Sequence, residues 1–209
     1  MLSHKRQSGN SLSELMVAMA LGLLVMLAAT SLFAATLGAS KLSLKMTVLR
    51  NELATVAHLL SDDIRRAGFN GKATSALGQG GCTDHETQCP FSFQAVRDLD
   101  EHCLIARTDA DNDGHFDQTD TAEVRGYVFA NNTLYFIKYF YGTPSCHGRY
   151  LRESLTWKTD VKLTEVRFSL LADSSGGHSV AIKVSGHSQS EPGVMMTLNQ
   201  QVRLRNDAR

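Results

Sequence analysis

Residues 4–40 read HKRQSGNSLSELMVAMALGLLVMLAATSLFAATLGAS, and this stretch decides the fold. From Leu15 to Ser40 there are 26 consecutive positions without a charged side chain. As an α-helix rising ~1.5 Å per residue they span about 39 Å, which exceeds the ~30 Å hydrocarbon core of a bilayer. Lys5 and Arg6 precede the apolar run. Because basic residues stay on the cytoplasmic side of a membrane, we expect the rest of the chain to be extracytoplasmic.

A secretory signal peptide has a similar basic start and apolar stretch, so it is an alternative for this segment. The apolar run is longer than the apolar region of an ordinary signal peptide. The helical pattern also continues through residues 34–36, the nearest match to a small-residue cleavage site. The sequence therefore favours a retained membrane helix.

The composition of the whole chain excludes several classes of protein. Among 209 residues, 21 are basic and 21 are acidic, so the formal charge is zero and no nucleic-acid partner is expected. Hydrophobic residues make up 43%, which excludes a wholly disordered chain. The sequence has no G-x-S-x-G, H-E-x-x-H or Walker-type glycine motif. We therefore predict a protein that is not an enzyme.

Glu14 stands at the start of the apolar run. Residues 11–14 match the S-x-x-E capping box, in which the glutamate accepts a hydrogen bond from the first backbone N–H of the helix. An acid at the edge of the lipid also requires a positive partner, because an unpaired charge there costs several kcal/mol. Capping and charge pairing are therefore the two interpretations of Glu14.

Residues 9–19, GNSLSELMVAM, together with the basic leader before them, resemble the processing motif of type IV prepilins. The resemblance implies that a prepilin peptidase cuts between Gly9 and Asn10 and methylates the new amine. It also implies that Glu14 helps subunits to dock in a filament. The first mature residue is usually phenylalanine in that family, whereas here it is Asn10. A new amine at Asn10 would lie one helical turn from Glu14, so that the two charges could pair.

Helical periodicity continues beyond Ser40. No proline occurs before Pro90, so the pattern predicts a helix from about Ser11 to Ala67 that is stopped by Gly68 and by Asn70-Gly71. We interpret its apolar stripe as a core-facing surface rather than a coiled-coil seam; the stripe comprises Met46, Leu49, Leu53, Val56, Leu60 and Ile64. Residues 65–69, RRAGF, resemble the helix end of PilW-type minor pilins and of J-type minor pseudopilins of type II secretion.

The remainder of the chain alternates with period two, which is typical of strands. The pattern predicts strands at 91–97, 102–107, 122–130, 133–141, 150–157, 161–171, 179–186 and 195–205. Asn131-Asn132 is a hairpin-turn signal. The predicted fold class is α+β and type IV pilin-like, with a long N-terminal helix packed on an antiparallel sheet. Its regions are a leader at 1–9, a transmembrane half-helix at 10–40, an amphipathic periplasmic half-helix at 41–69 and a β-rich globular domain at 70–209.

Four cysteines lie beyond the membrane segment, and an even count in an oxidising compartment indicates two disulfides. Of the three pairings that four cysteines allow, we favour Cys82–Cys89 with Cys103–Cys146. Zinc is an alternative because three histidines lie nearby in sequence: His85, His102 and His147. The absence of any C-x-x-C spacing disfavours zinc.

Residues 109–120, DADNDGHFDQTD, have the ligand spacing of an EF-hand calcium loop. Glycine stands at position 6, and the backbone carbonyl of His115 could serve at position 7. The usual glutamate at position 12 is replaced by a shorter aspartate. The sequence predicts a Ca²⁺ site here, with a solvated acidic turn as the alternative. Its acidic ligands would be Asp109, Asp111, Asp113, Asp117 and Asp120.

The resemblance as a whole implies a minor pilin that helps to initiate type IV pilus assembly and is incorporated at or near the pilus tip. The implied partners are the prepilin peptidase, an inner-membrane assembly platform, membrane lipid, the major pilin and other minor pilins. The implied location is the inner membrane with a periplasmic globular domain, and then the extracellular pilus. The alternatives are a minor pseudopilin of type II secretion and a signal-anchored periplasmic binding or adhesin domain.

Overall fold

The computed structural model describes residues 11–72, 95–114, 117, 120, 122–155, 160–172 and 178–205. One helix is followed by a series of strands in these residues. They are α1 (Leu12–Arg66), β1 (Val96–Asp100), β2 (Cys103–Arg107), β3 (Val124–Ala130), β4 (Thr133–Phe140), β5 (Tyr150–Ser154), β6 (Val161–Ala172), β7 (His178–Ser188) and β8 (Met195–Arg203). The chain divides into two compact units, Met1–Lys45 and Met46–Arg209, and α1 runs through the boundary. The predicted long helix is confirmed.

In the first unit, the described residues are the N-terminal part of α1. Its hydroxyl side chains bond back to helix carbonyls: Thr30 Oγ1 donates to Met26 O at 3.0 Å, and Ser31 Oγ donates to Ala28 O at 2.8 Å. Such bonds satisfy polar groups inside the helix, as a lipid environment requires. The helix is long and apolar enough to cross a membrane, and none of its most apolar 18-residue window is buried within the structure.

In the second unit, the C-terminal part of α1 buries one face, which confirms the predicted core-facing stripe. The side chains of Leu49, Leu53, Leu60 and Ile64 are completely buried. The prediction was wrong at one end, since Met46 is exposed. Ala57 is buried more fully than its predicted neighbour Val56, because Ala57 continues the four-residue spacing from Leu49 and Leu53.

The strands form two antiparallel sheets, where the sequence predicted one. The first has the order β1-β2-β3-β4-β5, and the second has the order β6-β7-β8. One core joins α1 to both sheets, with contributions such as Leu104 and Tyr127 from the first and Val166 and Val184 from the second. The α+β class with a helix packed on antiparallel strands is therefore confirmed. The difference from the prediction is that β5 is the edge of the first sheet and β6 begins the second.

Two hairpins illustrate how local sequence sets the register. Asn131 and Asn132 both have positive φ, 51° and 59°, and join Ala130 to its partner Thr133, which confirms the predicted turn. The strand predicted at 91–97 is instead β1 at Val96–Asp100, and residues 91–94 lie outside the described part of the chain. β1 extends further because Asp100 pairs with Cys103 across a two-residue turn.

Gly186 on β7 permits α1 to approach the second sheet closely. A Cβ atom there would lie 2.9 Å from the carbonyl oxygen of Lys162 and 3.1 Å from Leu53 Cδ2. A second, smaller cluster of buried side chains covers the opposite face of the first sheet, where Cys103 and Ile105 alternate with the core residue Leu104. The first sheet therefore has apolar packing on both faces.

Candidate functional site

The start of α1 has half of the predicted capping box. The backbone N–H of Ser11 donates to Glu14 Oε2 at 3.1 Å, while Ser11 Oγ pairs with Ser13 Oγ at 2.9 Å instead of capping the helix. The partly positive N-terminal end of a helix also favours a carboxylate at this point. Gly9 and Asn10, the predicted processing residues, lie outside the described part of the chain.

The surface of the first unit combines exposed apolar side chains with one acid. All the residues of α1 from Leu12 to Leu44 are exposed in the isolated chain, including Met16, Leu23 and Phe33. Glu14 is the one charged side chain between residues 11 and 40. An apolar surface of this length is stable when lipid or other apolar helices cover it.

The segment after α1 is bonded to the end of β2 by a series of hydrogen bonds. Gly68, with φ of 76°, ends the helix and donates its N–H to Arg107 O at 2.7 Å. Asp109 N donates to Phe69 O at 2.9 Å, and Gly71 N donates to Asp109 Oδ2 at 2.8 Å. The residues of the RRAGF segment and the first acidic residue of the loop therefore hold each other in place.

The acidic loop connects β2 to β3, and the hairpin brings its two ends together. Arg107 pairs with Val124, and Thr108 N donates to Glu123 O at 2.8 Å. One carboxylate oxygen from each of four residues consequently lies within 4.8 Å of the other three: Asp109, Asp111, Asp113 and Glu123. Asp109 is 1% exposed and Glu123 is 2% exposed. This arrangement of oxygen atoms could hold a hard cation.

Glu123 was missed by the sequence prediction, which assigned the last ligand position to Asp120. In the structure Asp120 Oδ1 accepts a hydrogen bond from Ala122 N at 2.7 Å, and Asp117 N donates to Glu123 Oε2 at 2.7 Å. His115 lies outside the described residues. The signal for Glu123 was present, because pairing the predicted strands 102–107 and 122–130 as a hairpin places an acid at each end of the loop.

The electrostatics of the loop are set by burial and by like charge. Burial raises the pKa of Glu123, and the negative charges of Asp111 and Asp109 act in the same direction. Backbone N–H groups of Asp117 and Ala110 offset part of this effect. Holding these carboxylates close together therefore costs free energy, because their negative charges repel one another.

A disulfide joins Cys103 on β2 to Cys146, which confirms that predicted pairing. Cys82 and Cys89 lie outside the described residues. Asp98 supports the same region, since it accepts hydrogen bonds from Ser145 Oγ at 2.9 Å and from Cys146 N at 2.8 Å. Burial acts to raise the pKa of Asp98, but these hydrogen bonds outweigh it and lower that pKa below its ordinary value.

A buried polar network near the end of α1 was not predicted from the sequence. Asp63 is 8% exposed, and its two carboxylate oxygens accept hydrogen bonds from Arg125 Nη1 at 3.0 and 3.1 Å. The hydroxyl of Tyr127 donates to the same carboxylate. Burial and the Asp63 charge raise the pKa of Tyr127, so the phenol stays protonated. A cleft of about 380 Å³ lies beside this network and is also lined by Asp109.

Comparison with known proteins agrees with these features. The model of the prokaryotic N-terminal methylation motif matches residues 4–30, so the helix start defines a type IV pilin-like protein that undergoes prepilin-type processing. The family model described as prepilin peptidase-dependent protein B matches residues 42–204, and the chain belongs to that family. The predicted resemblance to the prepilins is thereby confirmed, and such pilin-like families are structural. No curated protein and no solved structure matches the chain.

Proposed function

We propose that this chain is a minor pilin that helps to initiate type IV pilus assembly and is incorporated at or near the pilus tip. The observation that carries the proposal is the start of α1, where one acid precedes a long, uncharged and unburied apolar helix within a matched methylation motif. The minor role is supported by residues 65–69, which resemble the helix end of PilW-type minor pilins.

The helix start supplies a mechanism for storage and assembly. Removal of residues 1–9 leaves an ammonium group at Asn10, next to the Ser11 N–H that already donates to Glu14. Within lipid the two charges stabilise each other. When the subunit leaves the bilayer, apolar helices of the major pilin and other minor pilins replace the lipid, so the apolar surface stays out of water.

This mechanism requires a prepilin peptidase and an inner-membrane assembly platform. The subunit would wait in the inner membrane with residues 70–209 in the periplasm and would then enter the extracellular pilus. The basic leader and the uncharged run that follows it support this orientation. Its role is that of a structural subunit, not an enzyme.

A minor pseudopilin of type II secretion is the second candidate function, because residues 65–69 resemble those proteins as well. Deletion of the gene distinguishes the two candidates. We expect loss of surface pili with normal secretion of exoproteins. Loss of secretion with normal pili would instead support the pseudopilin. Retention of both, with no cleavage at Gly9, would support a signal-anchored binding domain.

The processing step is tested by Gly9→Val in the chromosomal gene, with Gly22→Val as the matched control. A side chain added at Gly22 meets no atom within 4 Å in the structure. We expect wild type and Gly22→Val to begin at a methylated Asn10, and Gly9→Val to begin at Met1, by intact mass and N-terminal sequencing. A wild-type protein that retains its leader would refute the proposal.

The assembly step is tested by Glu14→Gln, which retains a hydrogen-bond acceptor for Ser11 N while removing the charge. We expect normal processing and membrane abundance, with incorporation into sheared pili reduced at least ~10-fold, equivalent to ~1.4 kcal/mol of lost charge pairing. Equal incorporation of the variant and the wild type would contradict a role for the charge.

A further inference from the structure

The acidic loop between β2 and β3 has features of a cation site that go beyond the proposed function. We propose that Asp109, Asp111, Asp113 and Glu123 bind one Ca²⁺ ion, and that the bound ion fastens the end of α1 to the β2–β3 hairpin. The inference does not depend on the role in pilus assembly, since it concerns the second unit alone.

Asp109 provides the observation that distinguishes this group from an ordinary acidic surface cluster. Its Oδ2 atom accepts hydrogen bonds from Gly71 N at 2.8 Å and from Gly114 N at 3.0 Å. Its Oδ1 atom is buried and has no hydrogen-bond partner among the described residues. A buried anionic oxygen without a partner is costly, because it has lost its water and gained no donor. A cation bound at Oδ1 removes that cost.

The dimensions of the group fit a calcium ion. Ca²⁺ binds oxygen ligands at ~2.4 Å, so two ligands on opposite sides of the ion are about 4.8 Å apart. One carboxylate oxygen from each of the four residues lies within 4.8 Å of the other three. Mg²⁺ requires ligands at ~2.0 Å in octahedral geometry, for which the corresponding separation is about 4.1 Å. Separations within 4.8 Å are compatible with either ion, but the ligand set distinguishes them: several carboxylates with the spacing of an EF-hand loop are typical of Ca²⁺, whereas Mg²⁺ usually keeps several of its waters.

The ligand set differs from that of an EF-hand in its last member. Gly114 has φ of 83° and supplies the sharp turn expected at loop position 6. The chain then turns at Asp120, whose carbonyl accepts hydrogen bonds from Glu123 N and Val124 N at 3.2 and 3.0 Å. In this turn one oxygen of the Asp120 carboxylate accepts a hydrogen bond from Ala122 N, and Glu123, not Asp120, belongs to the carboxylate group. Glu123 thus takes the place of the usual position-12 glutamate.

Binding at this loop would act on the end of α1. Asp109 bonds to Phe69 O through its N–H and to Gly71 N through Oδ2. The Asn70 side chain also donates to Gly114 O at 3.2 Å. An ion bound by Asp109 would therefore hold Phe69, Asn70 and Gly71, which lie shortly after the end of the helix. The alternative source of positive charge is Lys72, whose side-chain carbons lie against Gly114.

The test is calcium binding by the full-length protein in detergent after removal of divalent ions. We expect isothermal titration to give one site per chain for CaCl₂, with MgCl₂ binding at least ~10-fold more weakly. At free Ca²⁺ about one hundred times Kd, the Tm should rise by about 5–10 °C over its value in chelator. Absence of both the binding heat and the Tm shift would overturn the proposal and would indicate that Lys72 compensates the charge.

Matched variants test the ligand set. Asp109→Asn could fail to fold because Asp109 holds Gly71, so the exposed ligand is changed instead with Asp111→Asn, alongside Glu123→Gln. Each should weaken Ca²⁺ binding at least ~10-fold, whereas Asp120→Asn should change it less than ~3-fold. Circular dichroism checks that the variants are folded. Loss of binding in Asp120→Asn with retention in Glu123→Gln would overturn the assignment of Glu123.

Discussion

Replacing Asp63 by asparagine should destabilise the second unit by removing the buried charge that pairs with Arg125. The asparagine side chain has nearly the same shape as the aspartate and could still accept a hydrogen bond from Tyr127. The guanidinium group of Arg125 would then remain at the helix–sheet junction without its counter-ion. The loss should therefore come from the charge and not from a cavity.

The magnitude follows from how far each partner is buried. Breaking a fully buried ion pair by removing one partner costs ~3–5 kcal/mol. The Asp63 side chain is 8% exposed, but that of Arg125 is 36% exposed, so solvent screens part of the unpaired charge. We expect a loss of about 2–3 kcal/mol in the free energy of unfolding. At ~2–4 °C per kcal/mol for a chain of this size, the Tm should fall by about 4–12 °C.

The assay is thermal unfolding of the full-length protein in detergent, followed by near-ultraviolet circular dichroism. Glu153→Gln is the matched control, because its ion pair with Lys138 has a similar length of 2.7 Å but both side chains are 60% exposed. We expect a cost of ~1 kcal/mol or less for that control. A double-mutant cycle with Arg125→Met should give a coupling energy of at least ~1 kcal/mol. If Asp63→Asn lowered the Tm no more than Glu153→Gln does, the network would not be a stabilising junction.

Three further predictions concern the second unit. The double variant Cys103→Ala/Cys146→Ala should lose ~4 kcal/mol in unfolding free energy, because the bond closes a loop with a sequence separation of 43; an unchanged Tm would contradict this. Gly186→Ala should lower the Tm by several degrees, since its Cβ would lie 2.9 Å from Lys162 O; a Tm equal to that of wild type would show that the sheet can move. The folded-state pKa of Asp98 is lowered, so its stabilising contribution is present above about pH 3.9 and is lost as the pH falls through the folded pKa. The Tm difference between wild type and Asp98→Asn should accordingly shrink from pH 6 to pH 3, and a constant difference would exclude the carboxylate as its cause.

Local pattern was enough to predict most elements of this chain. The uncharged run at 15–40 and the three- and four-residue spacing after Ser40 define α1, and the Asn131-Asn132 turn defines the hairpin of β3 and β4. These signals are local because a helix face and a two-residue turn are each set by neighbours in sequence. That β5 and β6 belong to different sheets could not be predicted, because sheet membership depends on long-range strand pairing. Period-two alternation identifies a strand but contains no information on which strand it pairs with.

The carboxylate group of the β2–β3 loop was also predicted only in part, because sequence patterns show local neighbours but not long-range pairing. Spacing alone brought Asp109, Asp111 and Asp113 together, since they lie in one loop. Glu123 joins them through the register of β2 with β3, which depends on long-range pairing. The contact of Asp63 with Arg125 spans a sequence separation of 62, and no motif in either segment signals it. Sequence patterns therefore predicted three members of the carboxylate group but not the fourth.

Two sets of polar contacts hold the C-terminal end of α1 within the second unit, and they have different requirements. The Asp63 network is complete with the residues present, because its carboxylate receives donors from Arg125 and Tyr127. The Asp109 contacts are incomplete, because one buried oxygen lacks a partner in the described structure.

If the cation proposal holds, Asp63→Asn should lower the Tm equally with calcium and with chelator, whereas Asp111→Asn should lower the Tm only when calcium is present. A variant that combines the two should show additive losses in calcium, since the ligand side chain and Asp63 share no hydrogen-bond partner among the described contacts. Non-additive losses would indicate that the ion acts through the same network as Asp63, and the two junctions would then have to be treated as one.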